Sequence, residues 1–149
     1  MEDLERSLRT HPFMVDLEPD YVRFLVGCAS NVRFRPGEYL VREGQREDRF
    51  FLIRQGTVSI ELPRSGGDAA VVETVGPGDV LGISRVAPAT AHLDVRARDT
   101  VVAFALDNGC ILEKMHDEPR FGYAITRRLL ERTYDRLARA RLQSLDVYR

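Results

Sequence analysis

Short apolar alternations, cut at regular intervals by glycine, constrain this chain more than any other feature of its sequence. Between Asn31 and Leu106 apolar residues recur two apart: Val32 and Phe34; Tyr39 and Val41; Phe51 and Ile53; Val58, Ile60 and Leu62; Leu93 and Val95; Val101, Ala103 and Ala105. Val71 and Val75 flank a less regular run of the same kind. Pro36-Gly37, Glu43-Gly44, Gln55-Gly56, Ser65-Gly66-Gly67 and Gly76-Pro77-Gly78 separate the runs. Successive strand residues point to opposite faces, so such runs bounded by turn residues predict half-buried strands. Glycine accepts the positive φ that tight turns require. Many short strands at this spacing imply a closed or two-sheet β structure.

Helical patterns flank this stretch. In residues 1–30, Leu4 and Leu8 are four apart, and Glu18-Pro19-Asp20 opens a segment with Tyr21, Phe24, Leu25 and Cys28 on one face. Helical periodicity returns at Asp107. Pro119 stands just inside the start of a long segment reaching about Val147, where its missing N–H costs nothing. Leu130, Tyr134, Leu137 and Leu145 fall near one stripe of that helix. So amphipathic a helix must pack on the barrel, on a second copy, or on both. Residues 120–149 hold eight arginines and three acids, mostly off the stripe. These read as a solvated face, because no aromatic interleaving or recognition motif for nucleic acid accompanies them. The expected fold is mainly β with α, in one domain. N-terminal helices take residues 1–30, a β-barrel-like middle 31–106, and C-terminal helices 107–149, the long one at about 119–147.

Composition removes several function classes. A net charge of -1 gives no general attraction to nucleic acid or to an anionic membrane. No apolar run approaches membrane-spanning length, and the start, MEDLERSLRT, lacks the hydrophobic region of a secretory signal. Cys28 and Cys110 are far apart, without a CxxC. Two buried reduced thiols in a cytoplasmic protein are therefore expected, rather than a disulfide framework or a metal site. No Gly-x-Ser-x-Gly, P-loop or usefully spaced Cys/His pair is present, and His11, His92 and His116 are scattered. No catalytic residue and no metal ligand is assigned, and two distant cysteines cannot hold a four-cysteine cluster.

The run FRPGEYLVREGQREDRFFLIRQGTVSIEL, Phe34 to Leu62, resembles the first half of a cyclic nucleotide-binding domain. That is the sensor fold of CRP/FNR regulators, protein kinase A regulatory subunits and cyclic-nucleotide-gated channels. Gly37, Glu43-Gly44, the apolar pair before Gly56 and the valine after it follow the family order. A Gly-Asp-x-x-Gly at Gly78 to Gly82 comes at the family spacing. The resemblance covers roughly residues 10–147. It implies that the β middle, 31–106, is a β-roll or jelly-roll barrel (a double-stranded β-helix), with a phosphate cassette at 78–97 and a long C-terminal helix that dimerises. Gly37, Gly44 and Gly56 read as turn builders rather than ligand contacts.

The cassette departs from the family pattern at its two charged side chains. The family places a glutamate directly after the cassette glycine and an arginine shortly before the next strand. Arginine neutralises the cyclic phosphate with a bidentate fork, and the glutamate accepts from a ribose hydroxyl. Backbone N–H groups at the start of a short helix complete the cradle. Here the glutamate position is Ile83. Counting back from the strand at Val95–Ala97, the arginine position is Ala91; a one-residue slip places His92 there. His92 is a cation only when protonated, with an ordinary pKa near ~6.5. Gly82, Ile83 and Ser84 keep backbone donors, Ser84 adds a hydroxyl, and Arg85 is the nearby cation. Ile83-Ser84 also resembles the Trp-Ser start of this helix in stand-alone bacterial CRP-like domains.

The expected ligand set is therefore Gly82, Ile83, Ser84, Arg85, Ala91 and His92. Tyr134 serves as a lid, and Leu130, Tyr134, Leu137 and Leu145 as a dimer stripe. Losing one partner of a buried charged hydrogen bond costs roughly 2–5 kcal/mol. Each ~1.4 kcal/mol is tenfold in affinity. Binding of cAMP or cGMP is expected to be weak, or replaced by another small effector. The expected protein is a non-enzymatic, cytoplasmic, homodimeric regulatory module read by an unidentified partner protein. The rival is a docking module of the same fold that binds no small molecule. Leu145-Asp146-Val147 resembles the hinge end of the CRP long helix, and the chain stops at Arg149 with no recognition helix. Direct sequence-specific DNA binding is therefore not expected.

Overall fold

A computed structural model describes residues 2–82 and 93–147. Helix α1 (Glu2–Arg9), a 3-10 turn (Pro12–Met14) and α2 (Pro19–Cys28) come first. Among the described residues eight strands follow: β1 (Ala29–Phe34), β2 (Tyr39–Val41), β3 (Arg49–Gln55), β4 (Val58–Leu62), β5 (Ala70–Val75), β6 (Val80–Leu81), β7 (Asp94–Ala97) and β8 (Val101–Asp107). Helix α3 (Asn108–Asp117) and the long α4 (Pro119–Val147) close the chain. The strands form two four-stranded antiparallel sheets, in the orders β1-β8-β3-β6 and β2-β7-β4-β5.

The alternating runs become strands because one face of each is drawn into a shared interior. Phe51, Ile53, Val58, Ile60, Val75, Val95, Ala97, Val101 and Ala103 fill the space between the sheets. The intervening residues of β3 and β8 are apolar as well. Phe50, Leu52, Phe104 and Leu106 pack outward against Phe13, Leu25, Phe121, Ile125 and Leu129 of the helices. Two strands buried on both faces thus weld the roll to the helical layer. At the β3–β4 turn Gly56 has φ +90°, and a Cβ there would lie 2.3 Å from the Thr100 carbonyl oxygen. No side chain fits between these two turns, and Thr57 N–H closes the contact by donating to Asp99 Oδ1 at 2.7 Å.

Pro119 opens α4 as expected. Its first half is pinned by Phe121, which receives the ring edges of Tyr21 and Phe24 at centroid distances of 5.2 and 5.3 Å. No helix among the described residues is long and apolar enough to cross a membrane.

The cysteines overturn an expectation. Cys28 and Cys110 are joined as a disulfide, with Cα atoms 6.1 Å apart, and no free cysteine remains among the described residues. Cys28 ends α2 immediately before β1, and Cys110 follows β8 by three residues. The β1–β8 register sets Ala29 opposite Leu106, so strand pairing carries together two residues 82 apart in sequence.

Candidate functional site

The candidate site begins at the turn Gly76-Pro77-Gly78-Asp79. Asp79 N–H donates to the Gly76 carbonyl at 3.0 Å, and Gly76 N–H donates back to Asp79 Oδ2 at 2.9 Å. The turn is stitched to β3: Gly78 N–H donates to the Ile53 carbonyl at 2.9 Å, and Ile53 N–H to the Asp79 carbonyl at 3.0 Å. Val80 and Leu81 then pair with Leu52 and Phe51. Gly82 ends this stretch at φ +87°, where a Cβ would fall 3.1 Å from the Arg49 carbonyl oxygen and 3.2 Å from Phe50 Cα. Gly82 is thus required by close backbone approach as well as by conformation. Ile83, Ser84, Arg85, Ala91 and His92 lie outside the described residues.

Helix α4 closes on this turn through arginine. Arg136 Nε–H donates to Glu73 Oε2 at 2.9 Å, its Nη2–H to Glu73 Oε1 at 3.3 Å, and its Nη1–H to the Val80 carbonyl at 2.8 Å. The two side chains are only 18% and 15% exposed. Arg139 grips Asp79 with both Nη groups, reaching Oδ2 at 3.1 Å and Oδ1 more closely. That hydrogen bonding raises the Arg139 pKa above its already high ordinary value. Thr74 N–H donates to Gln143 Oε1 at 3.4 Å. Earlier on the same face, Arg128 and Arg132 donate to the carbonyls of Phe13 and Pro12 at 3.0 and 2.9 Å. The arginines of α4 are therefore not simply a solvated face. Arg128, Arg132, Arg136 and Arg139 form a polar seam between α4, the 3-10 turn and the start of the cassette. Sequence reasoning missed this seam because its acidic partners, Glu73 and Asp79, lie about sixty residues upstream.

Tyr134 stands on the opposite side of α4 from Arg132 and Arg136, and is 66% exposed. In its own chain it does not cover the barrel, and the contacts to the roll on this stretch are made by Arg136. Leu130, Leu137 and Leu145 are exposed on the same outward side.

The outer face of the second sheet carries a separate buried network. Ser59 Oγ–H donates to Glu61 Oε2 at 2.6 Å, and Arg96 Nε–H reaches the same oxygen at 3.1 Å. Asp94 Oδ1 accepts from Glu43 N–H at 2.8 Å, tying β7 to the loop after β2. Arg96 is half-buried by this pairing, not free on the outside. Among the described residues no group of three or more His, Cys, Asp or Glu is arranged to hold a metal ion.

With this geometry in view, the family model for the cyclic nucleotide-binding domain matches residues 31–118. Mouse cGMP-dependent protein kinase 2 is 24% identical over 112 residues, which cover 74% of this chain and 14% of the kinase. Among solved structures, a cyclic nucleotide-binding domain from Methylobacillus flagellatus superposes with a TM-score of 0.78 at 18% identity, covering 97% of this chain and 82% of that one. The regulatory subunit of a cAMP-independent protein kinase A from Trypanosoma cruzi, bound to guanosine, gives 0.65 at 24% identity, covering 82% and 48%.

Proposed function

The chain belongs to the cyclic nucleotide-binding domain family, and we propose that it is a non-enzymatic, cytoplasmic regulatory module whose cassette has lost its charged grip on a cyclic phosphate. One observation carries this reading. The frame of the cassette is intact from Gly76 to Gly82 and anchored to β3, and we read Ile83 at the glutamate position and Ala91, or His92 on a one-residue slip, at the arginine position. On this reading the cassette offers an anion main-chain N–H groups but no guanidinium fork. Such a site suits a weak nucleotide, or another small effector that needs no strong cation. The guanosine-bound trypanosomal subunit, a nucleoside without phosphate on the same fold, supports that ligand class.

Transmission runs through the seam. Asp79 and Val80 lead into the cassette, and Arg139 and Arg136 of α4 hold both. An effector that moves the cassette shifts these anchors and, with them, the angle of α4. The population of the two helix positions then follows the effector's preference between them. A homodimer formed through the outward stripe presents this change to a partner protein. The exposed stripe also supports the second reading, a docking module that holds no small molecule.

Calorimetry with cAMP and cGMP tests the first reading. No saturable heat is expected below roughly millimolar nucleotide, given a loss of roughly 2–5 kcal/mol for the missing charged contact. Micromolar binding of either nucleotide to the wild type would overturn the claim. Ile83→Glu combined with Ala91→Arg is expected to bring binding toward micromolar.

A further inference from the structure

The Cys28–Cys110 disulfide joins two blocks that also meet through core packing and through Lys114 Nζ, which lies 5.1 Å from the centre of the Phe24 ring. On one side is α2, whose Tyr21 and Phe24 rest on Phe121. On the other is α3, which leads through Glu118 and Pro119 directly into α4. Cys110 sits in the first turn of α3, where its N–H donates to Asp107 Oδ1 at 2.9 Å. Cys28 is buried, whereas Cys110 is half-exposed. Cys110 is thus the more accessible half of the bond, and thiol–disulfide exchange depends on such access.

We infer that Cys28–Cys110 is a thiol–disulfide switch setting how firmly α3 and the start of α4 are held to the N-terminal helices. The reductant is a small thiol of the glutathione class. Its thiolate attacks Cys110 Sγ; the protein S–S bond breaks, a mixed disulfide forms, and Cys28 leaves as a thiolate that takes up a proton. A second thiol attacks the outer sulfur of the mixed disulfide and releases Cys110. Two small thiols become one small disulfide, and two electrons and two protons pass to the protein. In the cytoplasm proposed above, a reducing compartment, a protein disulfide is characteristically transient and redox-sensing. The placement fits that role, because breaking the bond removes the covalent tie between α2 and the first turn of α3 while the packing of both cores stays in place. The switch rests on the proposed cytoplasmic location, and its effect on signal output on the proposed reading of α4 as the transmitting element.

The test uses the full chain without nucleotide, equilibrated at a series of reduced-to-oxidised glutathione ratios, alkylated and weighed by mass spectrometry. One intramolecular transition is expected, with both thiols labelled or neither. Hydrogen exchange is then compared at the two ends of the series. Reduction is expected to raise exchange over residues 108–125 at least tenfold and to leave 49–62 unchanged. The Cys28→Ser/Cys110→Ser double variant should match the reduced form at every ratio; if it does not fold, dithiol-reduced wild type supplies that comparison. The switch is overturned if both cysteines alkylate fully at the oxidised end, if the bond links two chains, or if α3 and α4 exchange equally in both forms. Because no nucleotide is present, these outcomes are independent of the calorimetry.

Discussion

His11 uses both nitrogens of a buried ring. Its Nε2 bonds the Ile53 carbonyl at 2.9 Å, and its Nδ1 accepts from Phe13 N–H at 3.1 Å, capping the 3-10 turn. An accepting Nδ1 carries no proton, so the neutral ring with hydrogen on Nε2 is the form the fold requires. Burial, above all, holds its pKa below the ordinary value. The facing charges divide: Arg132 and Arg54 push the same way, while the Ile53 carbonyl and Asp79 oppose them. The unfolded chain thus takes up the proton first as pH falls. Stability from His11 is complete above the unfolded pKa of about 6.5 and is lost between there and the lower folded pKa. The slope is at most about 1.4 kcal/mol per pH unit. Thermal unfolding of wild type and His11→Gln between pH 5 and 8 should show their difference shrinking below about pH 6.5. A difference independent of pH would remove His11 as the titrating group. Nothing local in the sequence marks this histidine, because its carbonyl partner is 42 residues away.

At the scale of the element, α4 carries two faces of different chemistry. Positions 132, 136, 139 and 143 meet the 3-10 turn and the roll through polar bonds, and 130, 134, 137 and 145 face outward with apolar side chains. The apolar stripe was legible because hydrophobic periodicity is a local signal. The polar stripe was not, because an arginine row reads as solvated until its carboxylates are known. Hydrogen bonds to charged groups contribute about 1.5–3 kcal/mol each. Arg136 makes three, to Glu73 and to the Val80 carbonyl, with some discount for its remaining exposure. Arg136→Ala is expected to loosen α4 beyond it by about 2 kcal/mol, seen as roughly thirtyfold faster hydrogen exchange over 136–147. Exchange over 119–129 should not change, because Phe121, Ile125 and Leu129 anchor that half in the core. Unchanged exchange beyond Arg136 would mean that the seam does not hold the helix.

For the whole molecule, legibility followed the range of the interaction. Strands, glycine turns and the long helix are local patterns that agree with one another, so a two-sheet or barrel-like β class and the helix from Pro119 could be read directly, and the ordered glycines, through the family they resemble, narrowed that class to a β-roll. The disulfide could not, since only the β1–β8 register brings its halves together. The cassette is an intermediate case: residue identity at Ile83 and Ala91 is legible, while its start at Asp79 gains meaning only with Arg139 in place. Association belongs to this scale too. Leu130, Tyr134 and Leu137 are spaced four and three apart and exposed, Leu130 by 69%, which is the spacing of a coiled-coil seam. Arg141 falls at the next position of that seam and limits how apolar it is. A second copy of the same helix is the occupant whose stripe matches in length and spacing. Leu130→Glu with Leu137→Glu puts charges into such a seam, yet both sites are exposed in the single chain, so little folding stability should be lost. Sedimentation at tens of micromolar is expected to give a dimer for wild type and a monomer with unchanged circular dichroism for the variant. A monomeric wild type would remove the dimer, and signal transfer through α4 would then have to act on a different protein directly.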